Sequence, residues 1–377
     1  MNTNIQILFV AVFIFLLSFL LTPFKVSAQV TYFLVKGKVI DKNTKVPLAG
    51  ASVFAQNTTI GEASDAEGNF SIRLPVGGYS LVTTFTGYET ESIRVNASSK
   101  NDSLLFELNP EEKSLEAVTI SITTEVKDGW EKYGTFFTDH FIGQTNFSKQ
   151  CVIKNPEVLH FYFSKKRNRL KVLAKEPLIV DNFSLGYTLK FAIDSFINDY
   201  ETKTNLFIGY PLFGEMQGTP EQHETWNKNR AIAYNGSLLQ FMRSLYHHTL
   251  EEDGFEIQFI VNNNGEDYPI HIGNLYGALN YQKDDSTKTV EFSPNQSEVA
   301  VIYKNAHPEK NYFDLDSAAK KNFQLSTLIF PKGESFFIDE NGYFYDQEDL
   351  VINGYLGFKK IGDMLPYDYD YKLEDQL

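Results

Sequence analysis

Seven histidines are spread through the chain, at His140, His160, His223, His247, His248, His271 and His307. Imidazole is the commonest metal ligand and the usual proton shuttle near neutral pH, so its spacing is where chemistry would first show. One pattern stands apart. His248-Thr249-Leu250-Glu251, with His247 beside it, has the His-x-x-Glu order that can place a nitrogen and a carboxylate on one zinc ion. A hydrolase built on it also needs a third ligand, a general base and an arginine for an anionic substrate. Only His271 and His307 follow, at short range. On a helix the same spacing makes His248 and Glu251 an ordinary i,i+3 pair. His247, His248 and Glu251 are the metal candidates. The reading adopted gives them a structural or surface role, with no catalytic residue assigned and no cofactor expected.

Other chemistry is thinner. The chain has no His-Glu-x-x-His, no Gly-x-Ser-x-Gly and no Walker-type loop. Asn262-Asn263-Asn264-Gly265-Glu266-Asp267 is rich in oxygen but lacks EF-hand spacing, and it reads as a turn. Lys165-Lys166-Arg167-Asn168-Arg169 is the one dense basic run, read as a solvated turn. The single cysteine, Cys151, sits beside Val152 and Ile153 and reads as a small buried hydrophobe. One cysteine excludes an internal disulfide framework and any Cys-rich metal site.

Composition narrows the class. The 377 residues carry 34 Lys+Arg against 48 Asp+Glu, a formal charge of −14, which disfavours nucleic acid as a partner. Aromatics make up 15% of the chain, including 32 Phe and 21 Tyr, which excludes a disordered chain.

Residues 7–21 are apolar except for Ser18, and Val26-Ser27-Ala28 suits signal peptidase. The expectation is a signal peptide over residues 1–28, cleaved after Ala28, and export to the periplasm or cell envelope. The rival is a retained anchor, because residues 7–24 approach the ~18-residue spanning length. No cysteine lies near residue 28, so a lipoprotein anchor is excluded. No later stretch is long and apolar enough for a membrane helix.

Residues 30–110 read as seven short strands between turn signals, the pattern of a β-sandwich. Residues 69–74 alternate apolar and polar with period two. Residues 111–125 read as a linker. From there to residue 377 an α+β region on antiparallel strands is expected. Val126, Trp130, Tyr133, Phe137 and Phe141 share one helical face. Residues 158–163 and 170–174 read as a hairpin with the basic run at its tip. Residues 187–196 read as a strand that can pair with 207–213. A polar helix is expected over 221–234, and a second, capped by Ser237, over 238–250. Strands are expected at 255–261, 277–282, 287–292, 298–303, 323–330 and 335–338. Asn341-Gly342 signals a hairpin before Tyr343. The acidic tail after Tyr371 is expected to fray.

The first region carries a resemblance. Gly37-Lys38-Val39-Ile40-Asp41, Pro47-Leu48-Ala49-Gly50-Ala51-Ser52-Val53, Asp65-Ala66-Glu67-Gly68-Asn69-Phe70, Gly77-Gly78-Tyr79 and Gly87-Tyr88 resemble the carboxypeptidase regulatory-like domain. That resemblance implies a transthyretin-like or immunoglobulin-like sandwich without catalytic residues of its own, common in exported Bacteroidota proteins. Ser114-Leu115-Glu116-Ala117-Val118-Thr119-Ile120 resembles the box that follows this module in TonB-dependent receptors, but reads here as a linker or final strand. Asn182-Phe183-Ser184-Leu185-Gly186-Tyr187, Arg230-Ala231-Ile232-Ala233-Tyr234-Asn235-Gly236-Ser237 and Leu365-Pro366-Tyr367-Asp368-Tyr369 resemble uncharacterised Bacteroidota proteins that pair this module with an α+β region. Asp102-Ser103-Leu104 and Asp316-Ser317-Ala318 resemble a Bacteroidota O-glycosylation signal.

The expected function is a non-enzymatic exported envelope protein that binds a protein or glycan partner. The alternatives are a component associated with TonB-dependent outer-membrane transport, and a metal-dependent hydrolase using His247, His248 and Glu251.

Overall fold

The computed structural model describes residues 31–111, 123–330, 335–345 and 350–371. The expected signal peptide, the segment 114–120 and the acidic tail lie outside these residues. Among the described residues no helix is long and apolar enough to cross a membrane.

Seven strands come first: β1 (Tyr32–Asp41), β2 (Ser52–Ala55), β3 (Gly61–Ala63), β4 (Asn69–Pro75), β5 (Gly78–Thr84), β6 (Glu91–Asn96) and β7 (Leu104–Leu108). They form two sheets, ordered β4-β1-β7 and β3-β2-β5-β6. β1 and β7 run parallel, with Val39 opposite Phe106, while the four-stranded sheet is antiparallel. In β4, Phe70, Ile72 and Leu74 are buried and Asn69, Ser71 and Arg73 are exposed, because alternate side chains of a strand leave on opposite faces. Those three meet Val53, Leu81 and Val95 of the facing sheet in one core. This is the expected seven-stranded sandwich.

The chain continues through β8 (Thr123–Glu125), α1 (Gly129–Phe141), β9 (Cys151–Ile153), β10 (Leu159–Ser164), β11 (Arg169–Ala174), β12 (Leu178–Asn182), β13 (Tyr187–Asp199) and β14 (Thr204–Glu215). These strands form an antiparallel sheet ordered β8-β10-β11-β13-β12-β9, with β14 along the other edge of β13. The β10–β11 hairpin carries the basic run at its tip, and β13 pairs β14 as the alternation implied. The aromatic stripe of α1 docks on this sheet. Phe137 and Phe141 are fully buried, 5.0 Å from the rings of Phe196 and Phe191 respectively. Each such burial contributes about 1.5–3 kcal/mol. Trp130, at the margin of the stripe, stays 37% exposed.

The remainder comprises α2 (Pro220–Tyr234), α3 (Leu238–His247), β15 (Phe255–Asn263), β16 (Glu266–His271), α4 (Leu275–Ala278), β17 (Gln282–Asp284), β18 (Thr289–Phe292), β19 (Glu298–Tyr303), α5 (Lys310–Leu315), β20 (Gln324–Ile329), β21 (Phe336–Asp339), β22 (Val351–Asn353) and α6 (Gly354–Phe358). Its strands form sheets ordered β16-β15-β19-β20-β22 and β17-β18-β21. Thr219 and Gln222 make a reciprocal capping box at the start of α2, and the Ser237 hydroxyl accepts from Gln240 N–H at the start of α3. α2 is polar over its first turns and buries Trp226, Arg230, Ala231, Ala233 and Tyr234 further on, with Trp226 and Arg230 among the residues that pin it. The Trp226 indole donates to Phe183 O at 2.9 Å, and the buried Arg230 guanidinium lies 3.9 Å over Tyr187 while donating to Leu185 O.

One local expectation changes. Residues 275–278 form a helical turn where a strand was expected to begin, closed by Tyr281 N–H to Tyr276 O. Asn264 and Gly265 take positive φ and turn β15 back into β16, so the turn read at 262–267 is the tip of a hairpin.

Two cores fill the part after the sandwich. One gathers α1 and the β9–β14 sheet with Leu239, Ile361 and Leu365. The other gathers α3 with β15, β18, β19, β20 and β21. The sandwich is joined to the first of these neighbourhoods by polar bonds. Asn57 N–H donates to Pro211 O, Tyr367 N–H donates to Asn57 O, and Thr59 donates through its N–H and hydroxyl to the Asp368 carboxylate.

Candidate ligand-binding cleft

The residues singled out by spacing are placed as follows. His247 ends α3 with its ring edge-on to Tyr246, 4.9 Å between centroids. His248 adopts a left-handed backbone, φ 63°, and lies flat on Tyr276 at 3.9 Å with Tyr281 edge-on at 4.2 Å. Partial desolvation, then the charge of Lys283, lowers its pKa from the ordinary histidine value. Glu251 is exposed in the turn that follows. Among the described residues no group of three or more His, Cys, Asp or Glu side chains could hold a metal ion. Cys151 pairs with Asn182 at the sheet margin, and burial, with the nearby Asp363 carboxylate, pushes its thiol up to about 12. Ser103 and Ser317 are both exposed.

A cleft of about 480 Å³ opens elsewhere, a volume suited to a small ligand. Six segments build it, Phe147 and Tyr371 each adding one side chain to the four that follow. The end of α2 gives Ile232, Ala233 and Asn235; β19 and the turn after it give Tyr303, Asn305, His307 and Glu309. β20 gives Gln324, and the segment around α6 gives Tyr355, Lys359 and Asp363. A separate gap of about 10 Å³ among Phe241, Met242 and Leu328 is lined by apolar side chains and is a packing defect of the core.

Gly236 fixes the wall of the cleft. It takes φ +66°, and a Cβ there would stand 2.5 Å from the Tyr303 ring and 2.8 Å from Gln324 Oε1. Only glycine fits both the conformation and the space. The chain therefore turns from α2 to α3 directly against Tyr303 and Gln324. That turn leaves the carbonyls of Asn235 and Gly236 facing Lys359, whose Nζ donates to them at 3.2 and 3.3 Å.

Electrostatics within the cleft are unusual. Desolvation lowers the Lys359 pKa, partly opposed by Asp363 and Glu309. Asp363 is buried, and desolvation raises it to about 6 against the pull of Lys359 and of a hydrogen bond from Thr145 Oγ1 at 2.7 Å. Groups displaced in this way gather at functional sites, because burial that serves a ligand is costly for a charge. Gln324 is 5% exposed, and its Nε2 donates to His307 O while its Oε1 has no protein partner. His307 Nδ1 lies 3.0 Å from Lys321 O, an acceptor only, so this nitrogen carries hydrogen and donates.

No catalytic or binding motif marks Asn235, Gln324, Lys359 or Asp363 in the sequence. They come from positions far apart in the chain, and no sequence spacing joins them. The one available signal was the Asn235-Gly236-Ser237 break between two helical patterns.

The N-terminal assignment can now be made. Residues 35–120 match the family model of the CarboxypepD_reg-like domain. The match takes in the sandwich and leaves the cleft outside it. No curated protein matches the chain. Similar solved structures include a DUF3823 family protein from Bacteroides ovatus, 12% identical, covering 50% of this chain and 83% of that one, with a TM-score of 0.18. Another DUF3823 family protein, from Parabacteroides merdae, is 12% identical over 52% of this chain and 87% of that one, with a TM-score of 0.19. A chain of a type II cohesin–X-dockerin complex from Acetivibrio cellulolyticus is 28% identical over 19% of this chain, with a TM-score of 0.17. This chain covers about half, 51%, of that one.

Proposed function

We propose that the protein is a non-enzymatic, exported cell-envelope component that binds a protein or glycan partner. On this reading the CarboxypepD_reg-like module of residues 30–110 is a rigid support, and the region 126–377 holds the binding site. The observation that carries it is the cleft, where polar groups from several segments converge and the Gln324 acceptor stands unpaired. A buried acceptor without a partner costs about 1–3 kcal/mol, and a ligand donor removes that cost. The module's fold and the apolar leader motivate export.

The test is capture from envelope extracts with the full-length protein and an Ile232→Trp variant. Ile232 is 60% exposed at the cleft rim, so tryptophan can obstruct the opening without disturbing a core. Partners or glycans retained by the wild type and lost by the variant support the reading. Retention that is identical for both removes the cleft from it.

A further inference from the structure

We infer that the cleft takes a short, uncharged saccharide, recognised through its hydroxyls and ring faces. This rests on the binding reading above and names its ligand class.

Charge is the first argument. Lys359 brings one cation to the lining, and Glu309 and Asp363 bring carboxylates. The Lys359 ammonium is already engaged by the carbonyls of Asn235 and Gly236. An anionic ligand would face two acids and a cation whose donors are largely committed. A cationic ligand would be repelled by Lys359 at close range. Glu309 already accepts from Asn146 N–H and Asp363 from the Thr145 hydroxyl, so each lining charge is engaged within the protein and a neutral ligand is favoured.

Hydrogen-bonding capacity is the second. Gln324 Oε1 needs a donor, and the Tyr371 hydroxyl, also buried without a partner among the described residues, can donate or accept. His307 spends Nδ1 on Lys321 O, which leaves Nε2 as an acceptor in the neutral ring. A sugar hydroxyl donates one bond and accepts two, which matches this mixture better than a peptide backbone of fixed donors and acceptors.

Ring faces are the third. Beside the buried Tyr303 and Tyr355, the half-buried rings of Phe147 and Tyr371 line the same cleft. Their apolar faces suit the C–H faces of a pyranose, while the polar groups between them meet its rim.

The experiment is titration calorimetry of the full-length protein with three panels: neutral gluco-, manno- and xylo-oligosaccharides, uronic-acid oligosaccharides of equal length, and uncharged short peptides. A neutral oligosaccharide is expected to bind. Gln324→Leu should weaken that binding about tenfold or more, since a lost bond to a buried acceptor is of that size. Ile232→Trp should weaken it at least as much with an unchanged melting temperature. Tighter binding of the uronic acids overturns the inference. So does binding of peptides alone that Ile232→Trp blocks, although the cleft would then still be a binding site. If no panel shows binding sensitive to Ile232→Trp, the saccharide inference falls, while the partner-binding reading falls only if the extract capture is also identical for both proteins.

Discussion

Arg94 of the sandwich forms an ion pair with Asp339, whose side chain is fully buried at the end of β21. The guanidinium also lies 4.2 Å over the Tyr345 ring and donates to the Tyr345 hydroxyl. Tyr345 in turn donates to the other Asp339 oxygen at 2.9 Å. Gly78 leaves the space for this arrangement, because a Cβ there would stand 2.2 Å from the Arg94 guanidinium. The module is thus tied to the rest of the chain by a charged group whose withdrawal leaves a buried carboxylate with the Tyr345 hydroxyl but no countercharge.

Removing Arg94 should therefore be costly. Arg94→Met strands the Asp339 carboxylate, and loss of one partner of a buried pair costs about 3–5 kcal/mol. Arg94→Met combined with Asp339→Asn should recover part of that loss. Urea unfolding of both variants measures it, and a loss below about 1 kcal/mol for the single variant would refute the anchoring role.

Asp363 should make stability depend on pH in an unusual direction. Its folded-state value of about 6 lies above the ordinary aspartate value of 3.8. The folded protein therefore holds a proton that the unfolded chain releases. The contribution is fully present below the unfolded value and is lost as pH rises through about 6. Asp363→Asn keeps an acceptor for Thr145 and abolishes the titration. Its stability relative to wild type should climb between these two values by on the order of 2 kcal/mol, then level off. Parallel pH profiles for the two proteins would sink this prediction.

Cys151 should be unreactive in the folded state. With its thiol pushed up to about 12, the thiolate is scarce at neutral pH. Alkylation by iodoacetamide at neutral pH should proceed slowly until denaturant is added, then rapidly. Equal rates before and after denaturation would contradict the burial of this sulfur.

Gly236→Ala should distort the cleft wall. Alanine at φ +66° is strained and meets Tyr303 and Gln324. We expect a loss of about 1–3 kcal/mol by thermal or chemical unfolding, together with weaker ligand binding. Gly265→Ala is the control, since a Cβ there meets nothing within 4 Å although φ is +88°. It isolates the backbone cost from the steric one, and equal losses at both positions would dismiss the steric part.

The sequence by itself determined the local elements. Period-two alternation marked β4 and β13, and a helical aromatic stripe marked the docking face of α1. Thr219, Pro220 and Ser237 carry the cap chemistry that starts α2 and α3. These features are legible because a strand or helix repeats its environment every two or 3.6 residues. Where local signals compete, the reading is poorer: the strand expected at 277–282 overlaps a helical turn at 275–278, which Asn274 caps. The cleft was not legible at all. Lys359 is an ordinary surface residue by type, and only the packing of α6 against the α2–α3 turn buries its ammonium beside two main-chain carbonyls. Asp363 likewise owes its raised pKa to burial, which outweighs the hydrogen bonds it accepts from Thr145 and Ser148, more than two hundred residues away. Desolvation and orphaned hydrogen-bonding capacity are properties of assembled surroundings. They depend on which distant segments meet, and that is set by tertiary packing.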